Sequence, residues 1–589
     1  MGGTAAAPRR RSMQLPLGIA LIVVSLIVPT LTGSSYWTYN FAIVDLFVAV
    51  AVMQNLLLSD AGQVSFGQGA VFGLAAYTTG MVAGLLGQGY AVGALCGVAA
   101  SVALGLLFAL PALRVQSYYL GFVTLSAAVV FPEMLVAFSD YTNGINGISQ
   151  PVPALAAPVI AGVSRLSLLI MALAIASLVF HAWFRRSAVG RRMRVAAVSG
   201  EAAMSLGFSP GGLRFLAFTI AAFVTGMAGC LYVAVIGFVS PYAFRVDLSI
   251  YFFFSVIVGG AGRLLGPVIG AWVLYLVPNA LLAGLASYRL LGYGIVAFVI
   301  MLAFPDGLVG SVERTLRRHR QREGVGEIAV GNVLADSVPA VPPVAPRGGA
   351  AIVVERARKA YGRMLALDDV SLSVAPGQVH AVVGPNGSGK TTLLNVVSGF
   401  TRLDGGRVAI MGVDTTRLAP QRVARLGVGR TFQTPRVFED MSIWDNLRVG
   451  QRRGHAGDGV LDTLAPRRAH WQGQFPDVLP HAQRRQLEIL RVLATDADVL
   501  MFDEPAAGLG SEERRELALL LRALRDRWGK TVVLIEHDLH LVWQVAARIT
   551  VLDAGQVVAE GLPQEILANP RVRALFTGAA DAPVEAGAE

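Results

Sequence analysis

The chain has 589 residues, of which 54% are hydrophobic and 15% charged, with a net charge of +10. That balance excludes a single soluble globule: the length calls for several domains and the apolar excess calls for a bilayer. The arginines cluster at the ends of apolar runs and are otherwise scattered, which fits membrane topology better than a phosphate-tracking groove, so no nucleic-acid partner is expected. Cys96 and Cys230 both lie inside apolar segments and read as small core hydrophobes, without a disulfide framework or metal spacing.

Taken in chain order, residues up to about 310 form long uncharged segments near 15–32, 38–58, 67–87, 90–113, 118–137, 165–184, 213–236, 247–261, 264–285 and 290–305, ten expected crossings of roughly 30 Å of hydrocarbon. The first run, PRRRSMQLPLGIALIVVSLIV, is followed by no clear cleavage site and reads as a retained span. Ten crossings put Arg9 to Arg11, Arg114, Arg185 to Arg194, Arg263 and Arg314 to Arg322 on one side, the cytoplasmic one, with Arg165, Arg245 and Arg289 outside. Two glycine-rich stretches, DAGQVSFGQGAVFGLAAYTTG from Asp60 and VGGAGRLLGP from Val258, read either as close helix packing or as irregular backbone along a translocation path. Asp45 and Glu133, in or beside apolar spans, stay open between path-lining groups and structural hydrogen-bond hubs.

Residues 324–350 are rich in Pro, Gly, Ala and Val without helical period and suit a tether spanning on the order of 30 Å. The expected domains are therefore a membrane domain at 1–323, a linker at 324–350 and a domain of ordinary globular composition at 351–589.

In that last domain VHAVVGPNGSGKTTLLNVVSG reads as a buried strand, a glycine-rich turn and a helix. Gly384, Gly389, Lys390 and Thr391 fit the phosphate-loop pattern, with Pro385, Asn386, Gly387 and Ser388 between them and Thr392 after. Backbone amides from Asn386 to Thr392 can surround phosphates at a helix N-terminus, Lys390 can reach the β and γ groups of ATP, and the Thr391 hydroxyl can bind Mg²⁺. DADVLMFDEP supplies a second buried strand presenting Asp503 for Mg²⁺ and Glu504 as general base for the attacking water. Gln433, in GVGRTFQTPRVFEDMSIWDNL, and His537, closing KTVVLIEH, are each more often structural than catalytic when taken alone. The stretch LPHAQRRQLEILR from Leu479 opens like an amphipathic helix, with a proline near its first turn.

The order and spacing of Tyr361, Gly384 to Thr392, Gln433, residues 479–491, Asp503, Glu504 and His537 resemble the nucleotide-binding domain of an ABC transporter. The resemblance implies that Tyr361 stacks on adenine, that Gln433 joins Mg²⁺ and senses the membrane domain, and that His537 contacts the γ-phosphate. It also implies that Leu479, Pro480, His481, Ala482 and Gln483 form the signature motif facing the ATP held by an opposing subunit. Pro480 and Ala482 stand where that motif usually has a serine and a glycine; proline removes a hydroxyl and an N–H donor, and alanine resists a positive φ. Gly510 likewise stands where Asp or Asn is common. Two unequal ATP sites are the expected consequence.

The finer resemblance covers nearly the whole chain. DAGQVSFGQGAVFGLAAYTTG, YYLGFVTLSAAVVF, NGINGIS, GFVSPYAF and VGGAGRLLGPVIGA are similar to one permease type of the branched-chain amino acid importers, while RTFQTPRVFEDMSIWDNL, DEPAAGLG and AEGLPQEILANPRVRALF are similar to one of their ATPase types. The implied fold is an all-α polytopic permease of about ten helices fused to an α/β P-loop ABC ATPase. The coupling loop is matched by RRMRVAAVSGEAAMSLGFS, with Glu201, Ala202, Ala203 and Gly207, against the alternative of an amphipathic interfacial helix. The implied function is half of an ATP-driven importer in a bacterial inner membrane, in lipid contact. Its implied partners are a second permease and ATPase subunit, in a heterodimer, and an extracytoplasmic substrate-binding protein. Branched-chain or hydrophobic amino acids are the expected small-molecule cargo, with urea, short amides or small carboxylates as alternatives. The competing classes are a regulatory ATP-binding membrane protein without turnover and an exporter.

Overall fold

The computed structural model describes residues 13–113, 117–160, 163–281, 289–320, 349–451 and 468–577. The chain divides into two compact units, one containing Pro8–Val198 and Pro210–Gly324, the other containing Ser199–Ser209 and the chain from Val325. Ser199–Ser209, expected in the 1–323 domain, thus belongs to the second unit. Most of the expected tether, with Arg9 to Arg11 and Arg114, lies outside the described residues.

The first unit is helical. Its main helices are α1 (Gln14–Thr32), α2 (Ser35–Asn55), α3 (Gln68–Gly80), α4 (Tyr90–Ala112), α5 (Ser117–Ala137), α6 (Arg165–Arg186) and α7 (Ala188–Val198). The six-residue α8 (Gly200–Ser205) belongs to the second unit; α9 (Pro210–Ile236), α10 (Val246–Gly259), α11 (Gly266–Leu281), α12 (Arg289–Ala303) and α13 (Gly307–Arg320) complete the first. Among the described residues, eight helical stretches are long and apolar enough to cross a membrane. The expected span at 67–87 is the 13-residue α3 followed by a π turn at Met81–Leu85, and that at 264–285 is described through Leu281, as α11. Helix α2 is the axis of the bundle, buried at every residue from Ile43 to Asn55, as an all-round apolar helix requires.

Lipid offers helices no hydrophobic reward for meeting, so contact rests on close approach of small residues. At α10 and α11 that approach is backbone to backbone: a methyl on Gly259 would lie 1.8 Å from the Gly266 carbonyl oxygen, and one on Gly270 would lie 1.8 Å from that of Ser255. Packing therefore accounts for these glycines of the VGGAGRLLGPVIGA stretch.

The DAGQVSFGQG stretch is different. Helix α2 runs into a π turn at Leu56–Asp60, and residues 62–67 have no regular structure before α3 begins. Side chains serve this broken backbone: Gln54 donates to the Ser65 carbonyl (2.9 Å), and the amides of Phe66 and Gly69 donate to Thr124 Oγ1 (2.9 Å) and Ser249 Oγ (3.1 Å). That is the condition under which irregular backbone survives away from water. At its head, buried Asp60 meets His181 Nε2 at 2.6 Å and Arg185 Nε at 3.1 Å, and Arg185 also donates to the Gly262 carbonyl. Two expectations change here: Cys96 is exposed on α4 and is no core residue, and Glu133 is exposed on α5, whereas Cys230 and Asp45 are buried.

The second unit is built on a six-stranded sheet. In chain order its strands are β1 (Ile352–Tyr361), β2 (Met364–Val374), β3 (Val379–Val383), β4 (Gly405–Ile410), β5 (Val413–Asp414), β6 (Val428–Arg430), β7 (Val499–Asp503), β8 (Thr531–Ile535), β9 (Arg548–Asp553) and β10 (Gln556–Gly561). The main sheet has the order β6-β7-β8-β3-β9-β10, parallel except for β10, and a second sheet has the order β2-β1-β4-β5. Residues alternate between two cores: Val379, Ala381, Val383, Leu500 and Phe502 face one, while Val382, Val499 and Met501 face the other. Both sets are apolar because both faces of a parallel sheet are covered.

The exception within β3 is His380, fully buried with Nε2 at 2.8 Å from Thr550 Oγ1 on β9. Burial, aided by the nearby Arg548 charge, pushes its pKa from 6.5 down to about 4. The folded state therefore keeps His380 neutral while the unfolded chain takes up a proton, so this contribution to stability is present above pH 6.5 and is lost as pH falls toward 4. The loss should reach about 3 kcal/mol. Denaturant unfolding of the ATPase unit in the solubilised chain, followed across that window, should show it, and His380→Gln should flatten the dependence.

Candidate functional site

Buried β3 ends at Val383, and the chain turns through Gly384–Gly389 into α14 (Lys390–Val397). Gly384 and Gly389 have φ of 156° and 100°. A methyl on Gly384 would lie 2.1 Å from the Leu552 carbonyl oxygen, and one on Gly389 would lie 2.4 Å from that of Ala366, so neither position admits a side chain. The result is a cradle with Asn386, Gly387 and Thr391 exposed and Pro385 and Thr392 half-buried. Lys390 folds across it, donating to the carbonyls of Gly384 (2.9 Å) and Pro385 (2.8 Å) and lying 3.4 Å from Ser388 Oγ. Burial lowers the Lys390 pKa, against the opposing pull of the Glu504 and Asp503 carboxylates. A glycine-rich cradle beside a buried ammonium fits the phosphates of a nucleotide.

Strand β7 delivers Asp503, buried at the end of the sheet, with Arg430 Nη2 at 3.5 Å from its Oδ2. Burial raises the Asp503 pKa, and Arg430 opposes that shift. Arg430 is also buried, lying 5.4 Å and 5.3 Å from the ring centres of Phe400 and Phe432 and donating to Ser398 Oγ at 2.7 Å.

Glu504 follows at φ 48°, in the left-handed region that a non-glycine residue seldom occupies. Its amide donates to the Ile535 carbonyl at 2.9 Å. Its carboxylate meets Gln433 Nε2 at 3.1 Å and His537 Nε2 at 2.8 Å, so three side chains separated by 71 and 33 positions come together. Tyr361 lies apart from this cluster, half exposed at the end of β1, with its hydroxyl 3.5 Å from Thr401 Oγ1.

Sequence reasoning missed four residues. Arg485, on the helix His481–Leu493, is fully buried and donates to the carbonyls of Phe432 (2.5 Å), Gln433 (2.6 Å) and Glu504 (3.2 Å). Glu488 sits between Arg485 and Arg491 at 3.4 Å and 3.6 Å and accepts the Arg436 amide at 3.2 Å. Burial raises the Glu488 pKa and lowers that of Arg491 to about 10. Glu536, buried just before His537, accepts the amides of Ala506 (2.6 Å) and His537 (3.1 Å), fixing the turns on either side of Glu504. Charged side chains within a strongly amphipathic helix, and a glutamate closing an apolar strand, were the available signals.

The signature segment corrects one expectation. Pro480 is the N-cap of the helix His481–Leu493 and provides no side-chain cap; Ala482 lies inside the first turn, and its φ is not positive. Alanine is therefore unstrained there, and what the segment lacks is the hydroxyl. Leu479 and Ala482 are buried, Gln483 is half-buried, and Pro480 and His481 are exposed. Gly510 caps the helix Ser511–Asp526 with extended backbone that needs no glycine.

Within the same unit, α8 is capped by Ser199 and buries Ala202 and Ala203. Arg425 Nε, at the end of the helix Pro420–Arg425, donates to the Gly207 carbonyl at 3.0 Å, and Arg436 Nη2 lies 3.5 Å from Glu201 Oε2. Gly207 has φ of 85°.

Residues 19–305 match the family described as "Branched-chain amino acid transport system / permease component", and residues 367–507 match the family "ABC transporter". The high-affinity branched-chain amino acid transport ATP-binding protein LivG of Salmonella typhimurium is 38% identical over 242 residues, 37% of this chain and 94% of that protein. LivG of Escherichia coli K12 is 37% identical, and BraF of Pseudomonas aeruginosa 38% identical, over the same shares. An ABC ATPase and a polytopic permease thus share one polypeptide. The chain belongs to the branched-chain amino acid transport family of ABC transporters.

Arg485→Met should strip one partner from buried Glu488 and leave three loop carbonyls unpaired. Removing one side of such a buried pair costs about 3–5 kcal/mol. The ATPase unit should lose stability on that scale in thermal unfolding, and ATP turnover should fall more steeply than in Arg485→Lys.

Proposed function

We propose that this chain is half of an importer that uses ATP to take up branched-chain or other hydrophobic amino acids across a bacterial inner membrane. The observation that carries the reading is the meeting of Gln433 and His537 on Glu504 beside the Gly384–Gly389 cradle, in a chain that also holds the permease. The names of the ATP-binding relatives support the cargo class. In this reading the phosphates lie in the cradle against Lys390 and the α14 amides, Tyr361 stacks on the adenine, and Glu504 takes the proton of the attacking water. His537 orients that carboxylate and reaches the γ-phosphate.

The donors near the cradle suit Mg²⁺: the Thr391 hydroxyl, the Asp503 carboxylate and the Gln433 carbonyl oxygen are all hard oxygen ligands. When bound, that ion supplies neutralisation of phosphate charge. Arg430 favours the ionised form of Asp503 against the opposing effect of burial.

The arginine bias supports a cytoplasmic N-terminus and ATPase. A second permease and ATPase subunit completes a heterodimer, and an extracytoplasmic binding protein delivers the cargo. Leu479, Pro480, His481, Ala482 and Gln483 face the partner's ATP. Because Pro480 has no hydroxyl to offer, that site is the weaker of two. Glu201, Ala202, Ala203 and Gly207 form the coupling element, held by Arg425 and Arg436.

Uptake of radiolabelled leucine and urea into proteoliposomes holding the full complex, its binding protein and internal ATP tests the motor and the cargo together. Glu504→Gln should cut leucine uptake by about 10²-fold or more, the scale of a lost general base. Unchanged uptake would move turnover to the partner, and urea uptake alone would replace the cargo. A disulfide between Glu201→Cys and Arg436→Cys should halt uptake reversibly; uptake indifferent to that crosslink would remove the coupling role.

A further inference from the structure

A cavity of about 300 Å³ opens between the end of α1, the first half of α2 and the start of α6. One charged group lines it, Asp45, which is 4% exposed. Asp45 Oδ2 accepts a hydrogen bond from Ser25 Oγ at 2.5 Å, and Oδ1 accepts none among the described residues. Hydroxyls of Thr30, Thr38, Ser164 and Ser167 share the wall with Asp45, and Leu26, Phe41, Ala42 and Ile170 supply an apolar side.

A carboxylate removed from water with one oxygen unserved is stable only beside a cation or a proton. Several of the hydroxyls already donate locally: Thr30 to the Leu26 carbonyl (2.7 Å), Thr38 to that of Ser34 (3.0 Å), and Ser164 and Ser167 lie 2.9 Å apart. Their lone pairs therefore remain as acceptors. One negative charge with neutral oxygen acceptors suits a single ammonium group. A divalent metal is disfavoured, since no group of three His, Cys, Asp or Glu residues able to hold one occurs among the described residues. The apolar side suits a hydrocarbon chain, which a bare inorganic cation lacks. Helices α2 and α6 both start at the rim, so a carboxylate carried by the same molecule meets helix N-termini there.

We propose that this cavity binds the ammonium group of a small amphiphilic amine, held by Asp45, and that its occupant is the transported amino acid. The assignment rests on the importer reading. It also fits that topology, because the cavity lies at the opposite end of α6 from Arg185 and Arg186, which puts it on the face where cargo is delivered if the arginines are cytoplasmic.

The test is equilibrium binding of radiolabelled leucine to the full chain in phosphatidylcholine nanodiscs without ATP, with 3-methylbutylamine and 4-methylpentanoate as competitors. Leucine should bind, the amine should compete and the carboxylate should not. Asp45→Asn should weaken binding at least tenfold. Thr38→Phe, at an exposed position of the mouth, should do the same while leaving the carboxylate in place, which covers the case in which Asp45→Asn does not fold. Absence of leucine binding, or binding indifferent to both substitutions, would overturn the site. Displacement of the amine by phosphatidylethanolamine but not by leucine would assign the ammonium to lipid and overturn the occupant. The importer reading fails separately, through the leucine uptake of the wild-type complex.

Discussion

Most of the nucleotide-site geometry depends on one buried guanidinium. Arg485 has no route to solvent, and its two terminal nitrogens are served by the carbonyls of Phe432, Gln433 and Glu504 and by the Glu488 carboxylate. Those three carbonyls belong to the loop that carries Gln433 and to the turn that carries Glu504. Burying one charge therefore sets the distance between two side chains that meet at a carboxylate. Glu488 and Arg491 extend the arrangement toward Arg436, whose side chain reaches Glu201 on α8. A chain of contacts thus runs from α8 to Glu504, solvent-exposed at the Glu201–Arg436 end and buried from Glu488 onward.

The same rule shapes the membrane unit with neutral groups. Where helix α2 breaks, carbonyls and amides that water would otherwise serve are met by Gln54, Thr124 and Ser249. The two glycine-rich stretches of the bundle consequently mean different things. Around Gly259 and Gly270 the absence of a side chain lets two backbones touch; between Asp60 and Gly69 polar side chains hold an irregular strand of backbone that ends in the Asp60, His181 and Arg185 cluster.

The signature segment shows how a motif can lose part of its chemistry and keep its scaffold. Pro480 suits an N-cap because that position needs no intrahelical N–H, and Ala482 suits a first helical turn. The buried charges three to nine residues beyond Ala482 are untouched by either residue. The segment thus retains its part in holding Gln433 and Glu504 although Pro480 offers no hydroxyl.

Local patterns determined a good deal by themselves. Four apolar residues before Asp503, glycines at fixed spacing before Lys390 and long uncharged runs ending in arginine each follow from a constraint a few residues wide: a strand covered on both faces, a turn without room for a methyl, and a bilayer of set thickness. The elements and the glycine-rich cradle were legible for that reason. Tertiary structure alone decided which distant groups share an acceptor. Gln433, His537 and Arg485 were each unremarkable in isolation and gained their meaning at Glu504, because a hydrogen bond depends on distance in space and separation along the chain carries no record of it. The same holds for Asp45, whose surroundings come from three helices, and for Ser199–Ser209, which follows α7 of the helical unit in the chain yet belongs to the ATPase unit.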